Sequence, residues 1–216
     1  MDNFQTNFTP LNKELSYNKL DEIEKEMVIE DKKTEKYKLI ALDELLNTKF
    51  SPIAWAVEKL IPVETITFLS GSPASFKTWT ILELAIKVST GGLLFNKFKT
   101  SQTSVLIIDE ENGTRLLKDR LSKIPSAKSL PVYFLSCSMF TITPESIKKL
   151  IETAKEKNIG MIIFDSFVRV HGASDENDAV KISQVFKLTK QLTKNGLTIV
   201  FTHHNRKESF TRKSNP

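Results

Sequence analysis

Lys77 and Thr78 follow a run of small residues, Gly71-Ser72-Pro73-Ala74-Ser75, and one large one, Phe76; they open a segment with helical apolar spacing. Ahead of them lies a short apolar run, Ile66–Leu69. Strand, small-residue loop, Lys-Thr and helix together form the layout of a nucleotide-phosphate cradle. Backbone N–H groups at a helix N-terminus bind negative charge through unsatisfied donors and the positive end of the dipole. Lys77 adds a point charge for the β- and γ-phosphates of a triphosphate, and the Thr78 hydroxyl is an oxygen ligand for Mg²⁺. Gly71, Ser72, Ala74 and Ser75 are small enough for close backbone approach, while Pro73 has no N–H to donate but stiffens the loop. The common pattern, G-x-x-x-x-G-K-[ST], has a glycine where this chain has Phe76. If φ is positive there, a non-glycine residue is strained by roughly 1 kcal/mol. If φ is negative, Phe costs little and its ring covers a neighbour. The plainer alternative is an ordinary strand–turn–helix connection with a lysine at the helix start. The rest of the chain favours the cradle.

That cradle needs a scaffold, and the pattern supplies one. The runs Ile66–Leu69, Val105–Asp109, Val132–Leu135, Met161–Asp165 and Thr198–Thr202 are short, rich in β-branched residues and almost wholly apolar. Such runs read as strands buried on both faces of a parallel sheet. Helices are predicted at Leu42–Leu46, Thr78–Ser89, Arg115–Lys123, Glu145–Lys157 and Ala179–Lys194, with Gly91-Gly92 and Asn195-Gly196 as stop signals. W-A-V-E-K-L-I-P, residues 55–62, is expected to carry apolar side chains into the core and to end at Pro62. Alternating strands and helices predict an α/β fold, a mainly parallel β-sheet sandwiched by helices.

In such sheets ligands sit beyond the carboxyl ends of the strands. One strand ends in Asp109, Glu110 and Glu111, another in Asp165 and Ser166, the last in His203 and His204. Asp165 suits a role on Mg²⁺ opposite Thr78, against the alternative of a helix cap. Ser166 either bonds the metal's water shell or caps. Hydrolysis also needs a group that activates water. Strand alternation puts Asp109 and Glu111 on one side and Glu110 on the other. Glu111, reaching further past the edge, is the expected base, with Asp109 second; the alternative is that one or two of the three acids cap the helix after Asn112-Gly113. A histidine of the 203–204 pair is expected to donate a hydrogen bond to phosphate or to the base, and the other can be structural.

The chain of 216 residues is long enough for one α/β domain plus an extension, with 40% hydrophobic and 26% charged residues. No apolar run approaches a membrane span, and M-D-N-F-Q-T-N-F-T-P has no secretory pattern. The lone Cys137 is read as a small buried residue, in keeping with a cytoplasmic location. Residues 1–38 are polar and read as a disordered extension with a short helix at Leu20–Ile29. The net charge is +5, and from Lys181 onward there are eight Lys or Arg against Glu208 alone. That suits a nucleic-acid backbone or a merely solvated face.

Taken together, these residues resemble RecA-like P-loop ATPases, specifically the RepA-like branch related to hexameric replicative helicases, over about Leu42 to Lys207. W-A-V-E-K-L-I-P precedes the first strand as in that branch, and G-S-P-A-S-F-K-T-W resembles its phosphate loop, which brings Trp79 into the nucleotide-binding set. The branch tolerates non-glycine residues at the position of Phe76. D-E-E-N-G-T-R-L-L-K-D-R-L resembles the segment with the catalytic glutamate, which falls on Glu111; F-D-S-F-V-R-V-H-G-A-S-D-E-N-D-A resembles that with the Mg²⁺-linked aspartate, here Asp165; H-H-N-R-K resembles the sensor, here His204. The resemblance implies an ATPase with ATP and Mg²⁺ as cofactors, single-stranded DNA as partner and a homo-oligomeric, hexameric assembly. The alternative is an ATP-binding regulator or scaffold with little turnover. A small-molecule kinase fits less well, because no Arg-rich lid follows Asp165. In the family, further strands after the sensor supply an arginine finger; here the domain, residues 39–216, is expected to be C-terminally truncated, with Arg206, Lys207 and Arg212 as weak substitutes.

Overall fold

The computed structural model describes residues 39–124, 129–172 and 178–205. The predicted extension 1–38 with its helix at Leu20–Ile29 lies outside them, as do Arg206, Lys207 and Arg212. The chain divides into two compact units, residues 1–51 and 52–216. In the first, the expected short helix is present as α1, Leu42–Asn47, with Asp43 and Glu44 in its first turn and no buried residue.

The second unit is built on five strands. β3 (Ile66–Gly71), β6 (Ser104–Asp109), β7 (Val132–Ser136), β8 (Ile159–Asp165) and β9 (Thr198–His204) form one sheet in the order β3-β9-β8-β6-β7. Every pairing in it is parallel. The chain therefore returns over the sheet after each strand, and the returns are α2 (Lys77–Thr90), α3 (Thr114–Ser122), α4 (Pro144–Lys157) and α6 (Ala179–Lys194), with a single turn, α5 (Phe167–Val170), after β8. Gly91 ends α2 at φ 68, a left-handed cap that suits glycine.

Alternation along the three central strands makes two cores. Leu106, Ile108, Ile162, Phe164, Ile199 and Phe201 face one side, where Ile147, Leu150, Val170, Val185 and Leu192 of α4, α5 and α6 cover them. Val105, Ile107, Met161, Ile163 and Val200 face the other, against Ile81, Leu82, Ala85 and Val88 of α2 and Leu117 of α3. Each such buried side chain contributes about 1.5–3 kcal/mol relative to exposure. The sheet is thus sandwiched by helices, as expected. The outer strands differ from expectation: β3 and β7 are half-exposed rather than buried on both faces, because each has a neighbour on one side only.

Two small antiparallel ribbons complete the unit. β1 (Trp55–Val57) pairs with β2 (Ile61–Pro62), and β4 (Leu93–Leu94) with β5 (Phe98–Lys99). Ala56, Val57 and Ile61 are buried as predicted. β2 ends at Pro62, as expected, and there Pro62 stands opposite Trp55 in the ribbon, a place where its missing N–H is tolerated. Cys137 is exposed rather than buried, because β7 stops at Ser136 and the chain turns out with φ 48 at Cys137. Among the described residues no helix is long and apolar enough to cross a membrane.

Candidate active site

Parallel pairing brings the carboxyl ends of four strands level. Gly71 of β3 stands opposite His204 of β9, and Asp109 of β6 opposite Asp165 of β8. The loop leaving β3 turns tightly, with the Ser75 N–H donating to the Ser72 carbonyl at 3.2 Å, and enters α2 at Phe76. Phe76 has φ 62 and ψ 19 and is 72% exposed, so the strained alternative holds and its ring covers little. Its carbonyl accepts the Thr80 N–H at 2.9 Å. Lys77 is buried at the helix start and its ammonium donates to the carbonyls of Gly71 at 3.0 Å and Ser72 at 2.8 Å.

One residue on, the Thr78 hydroxyl donates to Asp165 Oδ2 at 3.1 Å, while Thr202 donates to Asp165 Oδ1 at 2.5 Å. Burial raises the Asp165 pKa against those two hydroxyls, and the neighbouring Asp109 and Glu111 carboxylates push it the same way. Thr78 Oγ1 and Asp165 Oδ2 are hard oxygen donors side by side. That set fits Mg²⁺, which takes one or two protein oxygens and completes its shell with phosphate and water.

The three consecutive acids part company. β6 ends at Asp109, so strand alternation no longer governs Glu110 and Glu111. Asp109 folds back: its Oδ1 accepts the N–H groups of Glu111 (2.9 Å) and Asn112 (2.7 Å) and the Asn112 side chain (3.2 Å). Its pKa is raised, by burial first, with those three donors opposing. Glu110 turns away to the loop after β7 and accepts from the Ser138 hydroxyl and the amides of Ser138, Met139 and Phe140. Burial would raise its pKa, but the Ser138 hydroxyl and the three amides outweigh that and hold it low. Glu111 accepts the Ser166 hydroxyl at 2.6 Å, and His204 Nε2 lies 3.3 Å from the same Oε1. With a carboxylate as partner, that second contact is a hydrogen bond when Nε2 carries the proton. None of the acids caps α3, whose N-cap is Gly113, without a side-chain bond. Ser166, too, makes no cap bond; its hydroxyl goes to Glu111. His203 points elsewhere, edge-on to the rings of Phe68 and Phe167.

Lys77, Thr78, Trp79, Glu111, Asp165 and His204 line one cleft of about 280 Å³, together with Ala74, Ser75, Phe76, Asn112 and Arg120. Gly71, Ser72 and Pro73 lie outside its lining. A family model described as an AAA domain matches residues 32–209. The chain belongs to that family. AAA domains are P-loop domains that bind and hydrolyse ATP. No curated protein matches the chain. Among solved structures it resembles a KaiC-like protein from the hyperthermophilic archaeon Pyrococcus horikoshii OT3, with 16% identity and a TM-score of 0.47 over 69% of this chain. The chain spans 65% of the length of that protein.

Sequence reasoning missed one cation in the cleft of this AAA domain. Arg120 of α3 reaches back across two turns to donate to Asn112 Oδ1 at 3.0 Å, and Asn112 is itself held by Asp109. Asn112 lies ahead of the N-cap Gly113, outside the helical repeat, so no local spacing signalled the pair and only the fold shows which way the guanidinium points. The loop bond of Glu110 spans 28 residues and had no local signal.

Proposed function

We propose that this AAA domain is a Mg²⁺-dependent ATPase of the RepA-like branch that couples turnover to work on single-stranded DNA, assembled from several copies of the chain. The observation that carries hydrolysis is Glu111. Its carboxylate lies in the same cleft as the phosphate loop and is held from two sides by Ser166 and His204. A carboxylate so held can orient a water and take its proton as the water attacks the γ-phosphate. His204, within reach of that carboxylate, is placed to register the γ-phosphate. Lys77 would leave the two loop carbonyls for the β/γ oxygens, and Thr78 and Asp165 would hold Mg²⁺, which supplies neutralisation of the charge on the transferring phosphoryl group. A DNA partner is supported by the resemblance of the motifs and by α6, where Lys187, Lys190 and Lys194 are exposed at three- and four-residue spacing on one face.

The test is phosphate release and ATP affinity measured on the same Glu111→Gln protein. Removing a general base is expected to slow turnover by about 10²-fold or more while ATP still binds. Turnover at the parental rate would refute the assignment of the base. Absence of turnover in the parent protein, with ATP bound tightly and unaffected by single-stranded DNA, would favour a nucleotide-binding regulator.

A further inference from the structure

Trp79 belongs to two concavities. It lines the cleft described above and also a second groove of about 340 Å³ with Thr80, Glu83, Ile86, Lys87 and Ile124. Trp79, Glu83, Ile86 and Lys87 are spaced four, three and one residues apart, which puts them on one face of α2. Ile124, just past the end of α3, closes the groove from the opposite wall. The groove thus runs on from the phosphate loop along the outside of α2, covering about 12 Å of helix from Trp79 to Lys87 at 1.5 Å per residue.

We propose that this second groove takes the purine base of the nucleotide whose phosphates occupy the loop, with the Trp79 indole as its stacking partner. The inference rests on the phosphate reading of the neighbouring cleft and adds to it what holds the other end of the ligand. Its walls suit a flat aromatic ring: an indole on one side and two isoleucines besides, with charged groups at the rim. Glu83 spends one oxygen weakly, accepting the Phe95 amide at 3.3 Å, and keeps the other for a ring amino group. The Lys87 ammonium is a donor for a ring nitrogen or carbonyl oxygen. Acceptor and donor side by side match the edge of a purine, which presents both kinds of group. Stacking on an aromatic side chain is tolerant of which purine is bound, so Trp79 supplies affinity and the Glu83–Lys87 pair supplies selection.

The experiment compares ATP with inorganic tripolyphosphate, which carries the phosphates without the base, on the full chain with Mg²⁺ present. Trp79→Ala is expected to weaken ATP about tenfold and to leave tripolyphosphate within about twofold; Trp79→Phe should recover most of the ATP affinity. Lys77→Ala should weaken both ligands. Unchanged ATP affinity in Trp79→Ala, or a parallel loss of both ligands that Trp79→Phe does not repair, would overturn the groove as the base site while leaving the phosphate loop standing. A parent protein that binds neither ligand would overturn the phosphate reading, and the groove with it.

Discussion

Phe76 is a residue in the wrong conformation for its type. Its backbone sits in the left-handed region, where a side chain costs roughly 1 kcal/mol, and its ring, 72% exposed, returns little packing. Phe76→Gly relieves that strain, against about 0.5–1 kcal/mol of extra chain entropy in the unfolded state. Chemical denaturation should therefore show stability unchanged or raised by up to about 0.5 kcal/mol, with ATP affinity retained. A loss beyond about 0.5 kcal/mol would mean that the ring packs against something in solution. The sequence showed the departure from glycine at this position but not the sign of φ, since φ is set by how β3 and α2 meet. The neighbouring acids teach the same lesson. Their place at a strand end was legible in V-L-I-I-D-E-E-N. Which carboxylate faces the cleft was not, because alternation lapses where β6 stops, and Glu110 is claimed by a loop far along the chain.

At the level of elements, α4 shows how a helix start is written and what it is worth. Thr143 accepts the Ser146 amide at 3.2 Å and Ser146 returns the bond to the Thr143 amide at 2.9 Å, with Pro144 at the first helical position. Ile147, Leu150 and Ala154 then follow into the core beside the sheet. Thr143→Ala should cost about 1 kcal/mol of unfolding free energy in urea, and Thr143→Ser should restore most of it. Equal stability of all three proteins would show that packing alone fixes the start of α4. Signals of this kind made the helices and central strands legible: caps, glycine stops and uninterrupted apolar runs are local. The ribbon β4–β5 escaped notice because strands of two residues carry no period, and β1–β2 because Pro62 reads as a breaker until its place opposite Trp55 is known.

Across the whole molecule, the sheet gathers negative charge at one end. Asp109 and Asp165 face each other in adjacent strands, and Glu111 lies close enough to raise the Asp165 pKa. Burial contributes most, so the ionised form of Asp165 is penalised in the folded state. Between the ordinary aspartate pKa and the raised one, the folded protein holds a proton that the unfolded chain has released, and stability falls as pH rises through that window. Asp165→Asn removes the penalty. Its denaturation midpoint should exceed the parent's at neutral pH, and the advantage should fade as pH drops below the ordinary aspartate range. No advantage at neutral pH would mean that the hydroxyls of Thr78 and Thr202 compensate the carboxylate fully. The fate of Asp109, Glu110 and Glu111 carries a different consequence. Three neighbours in sequence report to three destinations: their own turn, the loop beyond β7, and the ends of β8 and β9. The tripeptide therefore works as a reading frame. Exchanging one letter disturbs one destination, whereas a residue inserted between Asp109 and Glu110 would carry both glutamates away from theirs.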